Sequence, residues 1–244
     1  MSAMLAVLRR ELAAYLVTPV AYVFIVIFLA LAGAFTFYLG DFYRRGQADL
    51  VPFFSYLPWL FLVLVPAVAM RLWAEERRSG TLELLLTLPI GRGAAMLGKF
   101  LAAWAFIALA LALTFPLWLT VNYLGHPDNG AILAAYCGSL LLAGALLAIG
   151  TGLSAATRSQ VVAFILTELV GLGYLLAGHR LVLGLVQGWL PPGVTDALAG
   201  FSFIDHYEAI ARGVLNADDI VFFVLTIACW LGAGVLLLEL TETG

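Results

Sequence analysis

Apolar residues run along this chain in long blocks that do not alternate with polar ones. Six blocks approach or exceed the roughly 20 residues that an apolar helix needs to cross a bilayer. They cover residues 20–39, 52–70, 96–121, 131–155, 161–178 and 220–238. The end of the fifth is poorly marked, because apolar residues resume after His179-Arg180. Residues 3–17 read differently. Leu5, Leu8, Leu12 and Leu16 recur at helical spacing and Arg9, Arg10 and Glu11 interrupt them, which predicts an amphipathic helix lying in the membrane interface. Thr18-Pro19 then ends that helix before the first span. A cleaved signal peptide, with Arg9-Arg10 as its basic region and 30–32 as its cleavage site, is the rival reading; the apolar run to Leu39 is too long for it.

Composition agrees with the pattern. The chain is 64% hydrophobic and 11% charged, with a mean hydropathy of +1.05. A soluble domain carries about 25% charged residues, so this one has lipid as part of its solvent. Every backbone amide must then find an internal partner, and long non-alternating runs select helices over a closed barrel. The expectation is an all-α membrane protein forming a single domain over 1–244: an interfacial helix at 1–19, spans one to five at 20–178, an outer segment at 179–219, and span six with the tail at 220–244.

Charge sets the orientation. With the N-terminus inside, the inner side holds Arg9, Arg10, Arg71, Arg77, Arg78, Arg92, Lys99 and Arg158. The outer side holds Arg44, Arg45, Arg180 and Arg212, so both termini are expected in the cytoplasm. The chain should reside in the inner (plasma) membrane. A net charge of −3 argues against a nucleic-acid partner. The outer segment is too apolar for a free loop. It should form a re-entrant or interfacial helix pair broken at Pro191-Pro192, then an amphipathic helix over about 204–215. Tyr207 and Trp189 suit the interface, whereas Trp59 and Trp118 read as packing residues within spans two and three.

Little of the sequence reads as catalytic. Residues 93–99 read G-A-A-M-L-G-K, but Phe100 stands where a phosphate-binding loop needs Ser or Thr for magnesium. Lys99 and Arg92 read better as anchors that snorkel to the headgroups. Cys137 and Cys229 lie inside apolar runs and read as buried small hydrophobes. His126, His179 and His206 are scattered over outer loops, which is poor metal spacing, and no metal is expected. Glu168 is the exception, a carboxylate in the middle of the fifth span. It faces a pore, a proton path or a cargo cavity, or it is a neutral group that packs one span against another.

The most informative stretch is E-E-R-R-S-G-T-L-E-L-L-L-T-L-P-I, from Glu75 to Ile90. Gly80 permits a sharp turn, Thr81 is a good N-cap, and Glu83 complements the helix dipole. Leu82, Leu85 and Leu86 share one face, and Pro89 ends the helix after about two turns. A helix this short needs a neighbour for its apolar face. It packs on its own spans, or it plugs into a groove on a soluble partner.

This stretch resembles the loop between spans two and three of ABC-2 type transporter permeases. The late run R-G-V-L-N-A-D-D-I-V-F-F, from Arg212, is similar to the one before the last span in the gliding-motility type of these permeases. The resemblance implies six spans, a cytoplasmic coupling helix between spans two and three, and re-entrant helices between five and six. It implies a permease that forms the translocation path, couples to its ATPase partner through that helix, and serves export. ATP and magnesium would belong to a separate ABC ATPase subunit, so this chain would hold no cofactor and would not be an enzyme. Six spans make half a transporter, so a second copy or a paralogue is expected, and an outer-side accessory protein is a further partner. On this reading Leu82, Leu85 and Leu86 supply the buried contact. Gly80, Thr81 and Glu83 shape the helix, and Glu75, Glu76, Arg77 and Arg78 orient it by rim electrostatics. Two other readings remain: a secondary transporter driven by an ion gradient, for which Glu168 speaks, and a membrane scaffold that docks an outer-side partner through 179–219.

Overall fold

The computed structural model describes residues 3–82, 91–179, 182–184 and 191–240. Among these the structure is helical, with no strand. The helices are α1 (Ala3–Val17), α2 (Pro19–Ala34, continued by a π-helical turn Phe35–Leu39), α3 (Phe42–Arg45), α4 (Val51–Ala69) and α5 (Ala74–Ser79). They continue as α6 (Arg92–Ala112), α7 (Phe115–Leu124), α8 (Asn129–Ala156), α9 (Gln160–Leu176), α10 (Pro192–Ala199), α11 (Phe203–Ala211) and α12 (Ala217–Leu240).

Among the described residues five helical stretches are long and apolar enough to cross a membrane: Pro19–Arg45, Val51–Ser79, Arg92–Leu124, Asn129–Ala156 and Ala217–Leu240. They correspond to the expected spans one to four and six. The fifth expected span is α9, with 17 residues. At 1.5 Å per residue it is about 25 Å long, somewhat short of a hydrocarbon core of about 30 Å. Its free face is nevertheless apolar, formed by Val161, Val162, Ile165, Leu166 and Leu169.

The third span departs from expectation. It is broken at Leu113-Thr114 into α6 and α7. Pro116, in the first turn of α7, has no N–H and would clash with the preceding turn of a continuous helix. The Thr114 hydroxyl donates to the Leu111 carbonyl at 2.6 Å and satisfies one group freed by the break. Trp118 therefore lies near the far end of the bundle, where its indole N–H donates to Asn129 Oδ1 at 2.6 Å. Trp59 points outward, 39% exposed. Trp59 is therefore not the packing residue expected, whereas Trp118 packs against the core and stacks on Tyr136.

α8 is the hub, packed against α4, α6, α9, α11 and α12. Its sequence is rich in Ala, Gly and Ser, which let helix backbones approach closely in lipid. A Cβ on Gly150 would run into Ala69 of α4 and Thr167 of α9. A Cβ on Gly152 would lie 2.9 Å from the Trp230 carbonyl of α12. Asp128 caps the start of α8 by accepting from the Gly130 and Ala131 N–H groups.

α1 packs along α6 near its start, with Val7 against Gly98. At that same end, Arg92 of α6 pairs with Glu239 of α12 at 3.4 Å. The opposite end carries α10 and α11, and Pro191-Pro192 stands at the start of α10 as a helix break should. Residues 180–181 and 185–190, including Trp189, lie outside the described residues, and so does most of the expected re-entrant pair. The expected helix at 204–215 is α11. Its Tyr207 is no interface anchor: it is 1% exposed, and its hydroxyl donates to the Phe54 carbonyl at 3.1 Å and meets Ser139 Oγ at 3.2 Å. Burial raises the Tyr207 phenol well above its ordinary range. Cys137 and Cys229 are exposed on the bundle's flank, not buried as expected.

Candidate functional site

The stretch singled out in the sequence starts where α4 ends. Between Met70 and Ala74 the helix breaks, which frees backbone groups that must be paired. Ser154, buried near the end of α8, does this with a single side chain. Its Oγ accepts from the Trp73 and Ala74 N–H groups at 3.1 and 3.0 Å and donates to the Met70 carbonyl at 3.1 Å. That uses the whole hydrogen-bonding capacity of a hydroxyl. The break is therefore a built joint, and α5 leaves it at a set angle.

α5 carries Glu75 and Glu76 in its first turn and Arg77 and Arg78 in its last, each sign matched to the helix dipole. It ends at Gly80, whose φ of 73° is the left-handed conformation that the sharp turn required. The N–H groups that Thr81 was expected to cap lie outside the described residues. Residues 81–82 are already helical, and the Thr81 hydroxyl turns back to Ser79 Oγ at 2.8 Å. Leu82 is half-buried and packs on the core of this same chain. Glu83, Leu85 and Leu86 lie outside the described residues.

The four charges of the expected rim separate. Glu75 and Arg78 are exposed and Arg77 is half-buried. Glu76 turns inward to Lys99, and Lys99 is the main departure from the sequence reading. It does not snorkel: its side chain is 3% exposed. It donates to Glu76 Oε1 at 2.8 Å and to Glu11 Oε1 at 3.1 Å, and its ammonium stands 5.3 Å from the centroid of the Trp73 ring. Arg10 closes the cluster, 2.6 Å from Glu11 and 3.7 Å from Glu76. One buried cation thus ties α1, α5 and α6 together.

The electrostatics follow from this geometry. Burial works to raise the Glu11 carboxyl. The charge of Lys99 and the hydrogen bonds from Arg10 and Lys99 outweigh it and hold the carboxyl below its ordinary value. The hydrogen bond to Glu11 in turn raises the Arg10 guanidinium. Burial lifts the neighbouring Tyr15 phenol far above its usual range. Two polar atoms of the cluster stay without a hydrogen bond, Glu76 Oε2 and Trp73 Nε1.

The sequence reading missed Glu11, Arg10 and Lys99 as a group. A signal was present: Lys99 interrupts an apolar run, and Glu11 is the one acidic residue of an otherwise apolar and basic helix. A buried charge needs a partner, and those two were on the same expected side of the membrane.

Glu168 lies on α9 beside the face that Ala163, Thr167, Gly171 and Leu175 bury. It is half-buried, and its Oε2 is shielded from solvent without a hydrogen-bond partner. It makes no hydrogen bond or ion pair with the Lys99 cluster. His206 lies on α11, not in a loop. Its Nδ1 is 2.6 Å from Asp219 Oδ1, and its ring stacks on Phe222. Among the described residues no group of His, Cys, Asp or Glu is arranged to hold a metal ion. The lookalike phosphate loop at 93–99 is the first part of α6.

A search of curated proteins returned no significant match. A family comparison did: residues 5–240 match the family described as ABC-2 family transporter protein. The match spans nearly all of α1, every apolar helix and the jointed segment after α4, and on it the chain belongs to the ABC-2 transporter family.

Proposed function

We propose that this chain is the permease subunit of an ABC exporter, and that the segment beginning at Gly80 is where a separate ATPase subunit docks. ATP and magnesium stay on that partner, and a second permease copy or a paralogue completes the path. The α1 end of the bundle is the cytoplasmic side. The observation that carries this reading is the mount beneath the segment. α5 is held by the Ser154 joint on one side and by Glu76, Lys99 and Glu11 on the other, so a push on residues 81–90 reaches α1, α4, α6 and α8 together. A free loop would absorb such a push. A jointed helix passes it to the spans.

The test is the double substitution Leu85→Glu, Leu86→Glu. The variant chain should insert normally and lose co-purification of its ATPase by about tenfold or more, as expected when a central apolar anchor is removed from an interface. Capture of the ATPase at wild-type yield would sink the docking claim.

A second reading has one observation in its favour. The unpartnered Oε2 of Glu168 is the sort of intramembrane carboxylate on which ion-driven transporters rely. On that reading, uptake or release in vesicles follows an ion gradient without ATP.

A further inference from the structure

Beside the Lys99 cluster, a cavity of about 280 Å³ opens between α1, α2, α4, α5 and α6. Its two halves differ in chemistry. One is charged, with Arg71, Glu75, Glu76, Lys99 and Glu11. The other is apolar and aromatic, with Tyr15, Ala21, Phe24, Val68 and Phe106. Lys99 and Glu11 satisfy each other, but other groups at the mouth do not. Arg71 makes no hydrogen bond or ion pair with any described residue. Neither does the Glu75 carboxylate, and Glu76 Oε2 has no hydrogen-bond partner. Arg71 and Glu75 line the same cavity without pairing with one another. A cation and an anion are therefore both on offer.

The cavity also continues. A second, narrow and almost wholly apolar groove of about 30 Å³ shares Phe24, Val68 and Phe106 with it. From there the lining advances in step along three helices: to Phe28 on α2, to Val65 and Phe61 on α4, and to Ala110 on α6. All three directions lead away from the α1 end and into the span. The whole is a charged mouth at headgroup level under an interfacial helix, with an apolar slot running toward the bilayer centre.

We infer that this is a binding site for one membrane phospholipid with a primary-amine headgroup, seated from the leaflet at the α1 end. The phosphate meets the Arg71 guanidinium, and the ammonium donates to Glu75 and to the free side of Glu76. The first methylenes of one acyl chain lie against Phe24, Val68 and Phe106, at the entrance of the Phe28–Phe61–Ala110 groove. Charge decides among phospholipids. An anionic glycerol headgroup satisfies Arg71 and offers only neutral hydroxyl donors, with no positive charge for the two carboxylates. A choline headgroup carries the positive charge but has no N–H to donate. The site would make the lipid a wedge between α1 and the spans, next to the cluster that holds α5. It does not depend on whether the chain is a permease.

The experiment is electron spin resonance of the purified chain in vesicles of phosphatidylcholine containing trace spin-labelled phosphatidylethanolamine, phosphatidylcholine or phosphatidylglycerol. The immobilised fraction should favour the ethanolamine lipid by about three- to fivefold over both others, the scale of one or two partly exposed charge-assisted contacts. Arg71→Ala and Glu75→Gln both alter exposed residues, so the fold survives. Each should bring the preference close to one. Equal immobilisation of all three lipids overturns the proposal. So does a preference for phosphatidylglycerol that Arg71→Ala abolishes and Glu75→Gln leaves intact, because the site would then read phosphate alone. An ethanolamine preference that both variants retain overturns this location.

Discussion

Lys99 is where a single residue changes the interpretation most. In the sequence it is one more basic residue at the mouth of a span. In the fold it is a buried ammonium shared by two carboxylates from two other helices. Burying a lone charge is prohibitive, whereas burying it with partners is tolerable and leaves the partners dependent on it. The dependence has a pH signature with a definite sign. Glu11 titrates below the ordinary carboxylate value of 4.5 in the folded chain. Its contribution to stability is therefore complete above that value. It is lost as the pH falls from there through the folded value. Thermal unfolding in detergent should show the wild-type chain losing stability across that acid window. Glu11→Gln should be less stable at neutral pH and flatter in acid. An acid limb unchanged in the variant would assign the loss to other carboxylates.

Among the elements, the spans were legible and the joints were not. A run of about 20 apolar residues announces a transmembrane helix because nothing else satisfies the backbone in lipid. It does not announce what happens inside the run. Pro58 and Pro66 leave α4 helical, whereas Pro116 stands at a break between α6 and α7. At Pro58 the carbonyl left without its helical donor, that of Phe54, accepts from the Tyr207 hydroxyl of α11. The Ser154 joint is of the same kind, since nothing in the local sequence of Met70–Ala74 points to a serine some 80 residues later. Ser154→Ala removes the partner of three backbone groups. It should cost about 1–3 kcal/mol, seen as a lower midpoint of thermal unfolding in detergent. It should also weaken ATPase capture, although Ser154 itself is buried in α8. Full stability with full capture would show that α5 needs no such mount.

At the scale of the whole molecule, the contest is between an ATP-driven permease and an ion-driven carrier. The family match over 5–240 favours the first. Glu168 is the residue through which the second would have to act, because its side chain reaches a shielded position without a partner. Glu168→Gln keeps the shape and removes the charge. It should leave assembly and ATP hydrolysis coupled to transport within about twofold of wild type, a difference of well under 1 kcal/mol. A collapse of transport in that variant, with ATPase binding intact, would move the carboxylate into the transport path.

Composition and period were enough to establish that the chain crosses a membrane several times as helices and that a separate helix, α1, precedes the first span. Those conclusions rest on local physics, because each helix in lipid must satisfy its own backbone and show a hydrophobic surface. What touches what was beyond the sequence. When nearly every position is apolar, hydrophobicity no longer separates inside from outside. Tyr207 looked like an interface anchor and is core. Cys137 looked like core and is exposed. Small residues do the sorting instead: Gly150 and Gly152 let α4, α9 and α12 close on α8, and that closure brings Ser154 beneath α5. The packing of α1 along α6, with Val7 against Gly98, brings Glu11 to Lys99. Pairings between residues 80 or 90 positions apart exist only once the helices have packed.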